Sequence, residues 1–281
     1  MGNITSFGST ILIQRLNGKI IDLGKLGFRV KSFNVPSAAY SHTFQQVGKY
    51  GSLLVNTEVQ QLSIPLVFDI IATDNYDYEL QKLEVNRIFR SDEEFYVINT
   101  RIPYLRWKVV AEQLQMPQDG NFWRASNISV NLVCSDGYAE TTATTLAPFT
   151  YESESWGMGT NILNGEDVSY TFNQSNFDFY NASDIPLRAE ERPVIIRFNG
   201  DAPSGIKLRN ETTGQEWNFY MSLKRADNLV INGLIPTKNA AQCYGNGLSD
   251  HGYIDFAPGH NKMTLTGATN FTVSFETRFY Y

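Results

Sequence analysis

Alternation of hydrophobic and polar positions dominates this chain and predicts a mainly β protein. The clearest case runs from Leu62 to Ile70, where every second residue is apolar. Strict period-two alternation is the mark of a strand with one buried face. Pro65 cannot donate a ladder hydrogen bond, so we expect this strand to lie at a sheet edge or to carry a bulge.

Shorter apolar stretches between turn residues predict further strands in the first half of the chain. Asn17-Gly18 is a two-residue hairpin signal between two of them. The pattern then breaks in a glycine-containing segment from Gly48 to Asn56. The predicted strands of this half are Ile11–Leu16, Ile20–Leu23, Phe28–Val35, Tyr40–Val47, Glu94–Asn99, Tyr104–Ala111 and Asn121–Ser135.

One segment of the chain predicts a helix. Thr73-Asp74-Asn75 supplies N-cap residues, and good helix formers follow from Asp77 to Arg90. Acidic residues come early and arginines late, which suits the helix dipole. The expected apolar stripe, which would pack across a sheet, consists of Leu80, Leu83, Ile88 and Phe89.

A change of composition between Asp136 and Glu166 predicts a domain boundary. This stretch is rich in threonine and has few regular patterns, as linkers do. We therefore expect an N-terminal domain over 1–140, a linker or crossing segment over 141–167 and a C-terminal domain over 168–281. Closely spaced strands predict a β-sandwich in the last region. They are Val168–Phe172, Pro193–Phe198, Gly205–Asn210, Trp217–Leu223, Asn228–Ile231, Gly252–Phe256, Lys262–Thr266 and Phe271–Phe279.

Charge and hydropathy exclude two classes of function. The net charge of −6 and the pI near 5.2 argue against nucleic-acid binding, which needs a clustered basic face. The same charge opposes docking on an anionic membrane, and no apolar run is long enough for membrane insertion.

Chemistry-bearing residues do not form a recognisable catalytic, cofactor or metal site in the sequence. His42, His251 and His260 lack neighbours at metal-ligand spacing. Adjacent carboxylates such as Glu93-Glu94 point to opposite sides of a strand, whereas a glycosidase needs two that face each other. We therefore expect no enzymatic activity; the alternative, a cell-wall hydrolase, requires a cleft with two opposed carboxylates.

Aromatic residues make up 13% of the chain and suit strands, protein interfaces or stacking on sugars. In the second half they form a candidate saccharide or partner surface, and the alternative is that they belong to the core. The residues concerned are Trp156, Tyr180, Trp217, Tyr220 and Tyr244.

The order and spacing of several motifs resemble the distal tail proteins of bacteriophages with long, non-contractile tails. One departure is Gly137, where proline is more usual in that family. The resemblance covers nearly the whole chain and rests on Leu62-Ser-Ile-Pro-Leu-Val-Phe68, the helix Tyr78–Arg90, Leu132-Val-Cys-Ser-Asp-Gly-Tyr-Ala-Glu140, Pro193-Val-Ile-Ile-Arg-Phe-Asn-Gly200, Leu208-Arg-Asn-Glu-Thr-Thr-Gly214, Asp227-Asn-Leu-Val-Ile231, Phe256-Ala-Pro-Gly-His-Asn261 and Val273-Ser-Phe-Glu-Thr-Arg-Phe-Tyr-Tyr281.

This resemblance implies a ring-forming N-terminal belt domain with one α-helix and a galectin-like or carbohydrate-module-like C-terminal β-sandwich. The resemblance also implies that the protein forms a homo-hexameric ring at the distal tip of the virion tail. The protein would be made in the cytoplasm of the bacterial host. Its expected partners are the tail-tube and tape-measure proteins, the tail-associated protein and the receptor-binding protein. An alternative function is a carbohydrate-binding module that contacts cell-wall saccharide during adsorption.

An arm that continues the sheet of a neighbouring copy is the expected ring contact. We place it in the segment from Gly48 to Leu66, because unpaired strand edges are templates for another chain. The expected interface residues are Gly48, Tyr50, Gly51, Leu53, Val55, Leu62, Ile64 and Leu66.

Overall fold

The computed structural model describes residues 10–118, 120, 124–149, 155–157, 159–162, 168–244 and 247–281. The chain divides into two compact units, Met1–Glu140 and Thr141–Tyr281. Both are built mainly of antiparallel strands, so the predicted mainly β class is confirmed. The linker predicted over 141–167 lies partly outside the described residues and stays a prediction.

The first unit holds ten strands and a single helix within the described residues. Seven strands form a sheet in the order β2-β1-β7-β8-β9-β6-β3, with β10 beside β8, while β4 and β5 pair only with each other. The elements are β1 (Ile11–Arg15), β2 (Ile20–Asp22), β3 (Arg29–Phe33), β4 (Tyr40–Gln46), β5 (Ser52–Val59), β6 (Leu62–Ile71), α1 (Asn75–Ile88), β7 (Phe95–Asn99), β8 (Leu105–Ala111), β9 (Arg124–Cys134) and β10 (Glu140–Thr141).

Strand β6 is the centre of the first unit's core, not an edge of its sheet. Its alternate residues from Leu62 to Ile70 are all buried, as their period predicts. It pairs with β9 along its length and with β3 over Leu66–Asp69, and Pro65 lies just outside the second pairing. The expected edge position is therefore wrong. The expected bulge is present, as a shift of register with β9 between Phe68 and Ile70.

Helix α1 begins where its capping residues predict but buries a different face. Asp74 accepts a hydrogen bond of 2.8 Å from the Asp77 N–H as N-cap. Of the four residues expected in the buried stripe, Ile88 and Phe89 are buried, whereas Leu80 and Leu83 are exposed. Residues seven and then three apart share one side of a helix, and that side carries the buried residues Tyr78, Val85 and Ile88.

Asp69 stabilises the first unit in a pH-dependent way. Its carboxylate lies 2.8 Å from the Lys31 ammonium and accepts a hydrogen bond of 2.8 Å from the Asn127 N–H. Burial alone would raise the pKa of Asp69, but these two partners outweigh it and hold the pKa below 3.8. A carboxyl whose folded pKa is depressed stabilises the fold above its unfolded pKa and loses that contribution as the pH falls.

We therefore predict that Asp69→Asn lowers the unfolding free energy of the first unit by about 1 to 3 kcal/mol at neutral pH. Urea unfolding of both proteins at several pH values measures the difference. It should shrink as the pH falls below about 4. A difference that stays constant between neutral and acidic pH would contradict this account of Asp69.

The second unit is a β-sandwich, because two sheets share one core. The sheets have the orders β11-β20-β13-β16-β17-β18 and β12-β19-β14-β15, and Phe179 of one lies 5.4 Å from Phe275 of the other, ring to ring. Its strands are β11 (Thr171–Phe172), β12 (Asn176–Asn181), β13 (Ile195–Asp201), β14 (Ile206–Asn210), β15 (Gln215–Phe219), β16 (Leu229–Asn232), β17 (Ile235–Lys238), β18 (Ala241–Gln242), β19 (Gly259–Thr266) and β20 (Thr269–Glu276).

One strand predicted for the second unit is not formed, and the galectin-like likeness is not tested. The strand predicted at Gly252–Phe256 is absent, and only Phe256 forms an isolated bridge, to Leu187. The galectin-like comparison stays a prediction. Phe256–Asn261 is a tight turn, which the buried Asn261 closes by accepting from the Ala257 N–H at 2.9 Å and donating to the Ala257 carbonyl at 2.8 Å.

Candidate functional site

The hairpin of β4 and β5 is the most unusual surface of the first unit. Every residue of both strands is exposed. A two-stranded hairpin alone is marginally stable in water and normally gains its stability by packing against something else. This hairpin therefore has the properties of an arm that is completed by another molecule.

The hairpin has one apolar and one polar face. Opposite residues of an antiparallel pair share a face, and a register shift beside Phe44 leaves Val55 unpaired and turns Leu54 towards Phe44. The apolar face consists of Tyr40, His42, Phe44, Leu54, Thr57 and Val59, with the polar pair Gln46 and Ser52 at its tip end; the polar face consists of Ser41, Thr43, Gln45, Leu53, Asn56 and Glu58. Phe44 is 60% and Leu54 49% exposed, so the apolar face is open to solvent.

The tip of the hairpin is a glycine turn that displays an aromatic ring. The Val47 N–H donates to the Gly51 carbonyl at 3.1 Å, and Gly48 and Gly51 adopt φ angles of +65° and +115°. These angles favour glycine because a Cβ atom would be strained there. Tyr50 between them is 94% exposed.

The structure separates the eight expected interface residues into two groups. Gly48, Tyr50, Gly51, Leu53 and Val55 all lie in the exposed hairpin. Leu62, Ile64 and Leu66 are buried in the core of their own unit, so placing their side chains at an interface was wrong. The reason is that β6 turns its apolar face towards the core of the first unit.

Sequence reasoning missed the residues that make the hairpin face apolar, chiefly Tyr40, Phe44 and Leu54. The alternation of Tyr40, His42 and Phe44 with polar residues was the available signal. It predicts one apolar face but cannot tell whether that face is buried within the same chain. The bulge that turns Leu54 to the same face has no sequence signature.

A second exposed surface, with both apolar and charged residues, borders the edge strand β2. The groove between β2 and α1, hereafter the β2–α1 groove, has a volume of about 780 Å³. Ile20 and Leu26 in this groove are exposed, and Glu84 is the lining residue that α1 contributes. The groove is lined by Leu12, Lys19, Ile20, Ile21, Asp22, Lys25, Leu26 and Glu84.

The aromatic residues expected at a saccharide surface do not form one surface. Trp217 is only 2% exposed and is a core residue, so its assignment to a surface was wrong. Trp156 is half-buried and stacks on Phe149 at 4.4 Å. Tyr220 and Tyr244 are exposed. Tyr180 alone among the five lines a cleft, described next.

This cleft lies in the second unit, beside the edge strand β12, and has a volume of about 410 Å³. One His260 ring nitrogen lies 2.6 Å from the Asp178 carboxylate, and the His260 ring is 4.9 Å from that of Tyr180. The lining residues are Val168, Ser169, Thr171, Phe172, Asn173, Gln174, Asn176, Phe177, Asp178, Tyr180 and His260.

The described part of the chain shows neither a metal-binding cluster nor a membrane-spanning helix. No group of three or more His, Cys, Asp or Glu residues there is arranged to hold a metal ion. Over the same residues, no helix has both the length and the apolar character needed to cross a bilayer.

Comparison with protein families connects the first unit to bacteriophage tails. Residues 16–134 match the family model described as phage tail protein RIFT-related domain. Residues 16–134 of this chain are therefore similar to that phage tail domain. The match covers the eight strands β2 to β9, including the exposed hairpin, and the helix. No curated protein matches the chain.

Solved structures show that the likeness of fold extends beyond the RIFT-related domain. The crystal structure of the SPP1 Dit protein, described as a paradigm of the hub adsorption apparatus in Gram-positive infecting phages, aligns with a TM-score of 0.67 and 11% identity. The alignment covers 96% of this chain and 99% of that chain. At this identity it establishes the fold, and with the family match it confirms the expected resemblance to phage distal tail proteins.

Two structures of the phage p2 baseplate in its activated conformation, with Sr and with Ca, align less well. Both have a TM-score of 0.49, with 10% and 12% identity. They cover 97% and 96% of this chain and 98% of each of those chains. That degree of likeness is too low to support an argument about this chain.

Proposed function

We propose that this chain is a non-enzymatic structural protein of the phage virion that forms a homo-hexameric ring at the distal tip of a long, non-contractile tail. The ring is a hub between the tail tube with its tape-measure protein and the tail-associated and receptor-binding proteins. The match to the RIFT-related domain and the fold shared with SPP1 Dit support this role.

The exposed apolar face of the hairpin is the observation that carries the proposal. Contiguous exposed apolar surface marks sites of protein association. All residues of β4 and β5 are exposed, so none of them belongs to the core of the first unit. Burial against another copy supplies the missing stabilisation.

Closure of a ring requires two different surfaces on each copy, because a cyclic contact of this kind is heterologous. The β2–α1 groove provides the second surface. Its lining combines the apolar residues Leu12, Ile20, Ile21 and Leu26 with four charged residues, it belongs to the same unit, and within the described residues β2 is an edge strand of the sheet. We propose that the hairpin apolar face of one copy occupies this groove of the next copy.

The mass of the purified full-length chain tests the ring directly. Native mass spectrometry at micromolar concentration should find six copies of the 31.8 kDa chain. Negative-stain images should show closed rings. A chain that remains a single copy at high concentration, both alone and mixed with the tail-tube protein, would overturn the proposal.

A further inference from the structure

We propose that the cleft beside β12 binds a neutral, hydroxyl-rich saccharide. This inference concerns the second unit alone and does not depend on ring formation. It moves the expected saccharide surface away from Trp156, Trp217, Tyr220 and Tyr244, none of which lines the cleft.

The two strands that border the cleft, β11 and β12, are each paired into a sheet, so the site is preformed. Phe172 of β11 pairs with Val273 in one sheet, and Asn176 of β12 pairs with Thr264 in the other. The turn between β11 and β12 is fastened by a hydrogen bond of 2.7 Å from the Leu265 N–H to the Ser175 carbonyl. A preformed cleft loses little conformational entropy when a ligand binds.

Unused hydrogen-bonding groups line the cleft. The exposed side-chain amides of Asn173 and Gln174 make no hydrogen bond within the described part of the chain. Each amide offers both a donor and an acceptor, the combination that pairs with the hydroxyl groups of a sugar. Asp178 and His260 add two further polar side chains to the cleft, and these are 49% and 56% exposed.

Aromatic rings supply the apolar part of the site. The rings of Phe172 and Phe177 stack at 4.3 Å with 18° between their planes, and both residues are half-buried. Tyr180 lies directly across from His260 in the β12–β19 pair. Aromatic surface beside a few polar groups is the usual make-up of a small-ligand site, and sugar rings present C–H faces to such surface.

The charges that line the cleft and the volume of the cleft favour a small, neutral ligand. The described lining residues include neither lysine nor arginine, and the one imidazole is already paired with Asp178. An anionic ligand would find no free cation there and would be repelled by the carboxylate. The volume of about 410 Å³ falls within the range of about 300 to 1,000 Å³ typical of small-ligand sites. A neutral saccharide fits these conditions.

An array of neutral hexose and N-acetylhexosamine oligosaccharides, probed with the full chain, tests the proposal. We expect binding to one or more of these probes and no binding to phosphorylated or sialylated versions. Calorimetry with the best probe should then show that the double substitution Asn173→Ala and Gln174→Ala weakens binding about tenfold, by removal of two hydrogen-bonding amides.

Gln242→Ala is the matched control, because Gln242 is another exposed amide of the same unit that makes no side-chain hydrogen bond in the described structure. It should leave affinity unchanged, and the melting temperature should be the same for all three proteins. The proposal is overturned if no neutral probe binds at millimolar concentration, if only anionic probes bind, or if the double variant binds as the original chain does.

Discussion

Glutamate at both Phe44 and Leu54 is expected to convert the ring into single copies. Both residues lie on the apolar face of the hairpin and are largely exposed in the isolated chain, so the fold tolerates the change. In the ring the same carboxylates would replace the apolar side chains that meet Ile20, Ile21 and Leu26 of the groove, where burial of a charge is costly. We expect each contact to weaken more than about a hundredfold. Native mass spectrometry measures the loss of the hexamer.

The matched control is Thr43→Glu, which adds the same charge to the polar face of the same strand. It should leave the ring intact. The role given to the apolar face would be contradicted if the hexamer persisted after the Phe44 and Leu54 substitutions. It would also be contradicted if Thr43→Glu abolished the hexamer to the same extent.

A mixing experiment tests whether the contact joins two different surfaces. Ile20→Glu damages the β2–α1 groove and should also give single copies, because Ile20 lines the groove and is exposed. When the groove variant and the hairpin variant are mixed, one intact hairpin meets one intact groove. A pair of copies should form and no ring, because a heterologous contact can then be made only once.

Trp217→Ala is expected to lower the unfolding free energy of the second unit by about 3 to 5 kcal/mol. Trp217 is 2% exposed and stacks on Phe219 at 6.0 Å. The ring belongs to the buried core of the second unit, and the cavity that it lines measures only about 10 Å³. Urea unfolding followed by circular dichroism gives the difference, and the melting temperature should fall by about 10 °C or more.

Tyr220→Ala is the comparison for this prediction, because Tyr220 lies three residues further along the chain and is 54% exposed. We expect it to change stability by less than about 0.5 kcal/mol. If both substitutions lowered the unfolding free energy equally, the placement of Trp217 in the core would be contradicted.

Local pattern determined most of the secondary structure. Period-two alternation identified β6 and its buried face, and the capping residues placed the start of α1 within two residues. Turn chemistry at Asn17-Gly18 correctly separated β1 from β2. Such features depend on residues close in sequence, so they can be read without knowing the rest of the fold.

The sequence did not predict which strands, distant along the chain, pair with each other. Pro65 suggested an edge, but β3 covers one side of β6 and stops just before the proline. The predicted helix stripe is right at Ile88 and Phe89 but wrong at Leu80 and Leu83, which are apolar yet exposed. An apolar residue shows only that burial is favourable, and the partner that buries it is fixed by the tertiary structure.

The sequence by itself determined a mainly β chain, its principal strands, one capped helix and the motifs that resemble phage distal tail proteins. The tertiary structure decided which apolar faces are used within the chain and which are left open. Leu62 and Phe44 both belong to alternating strands, but the first is buried and the second is exposed. The physical reason is that a strand's periodicity defines its two faces, whereas the residues that cover a face come from elsewhere in the chain or from another copy.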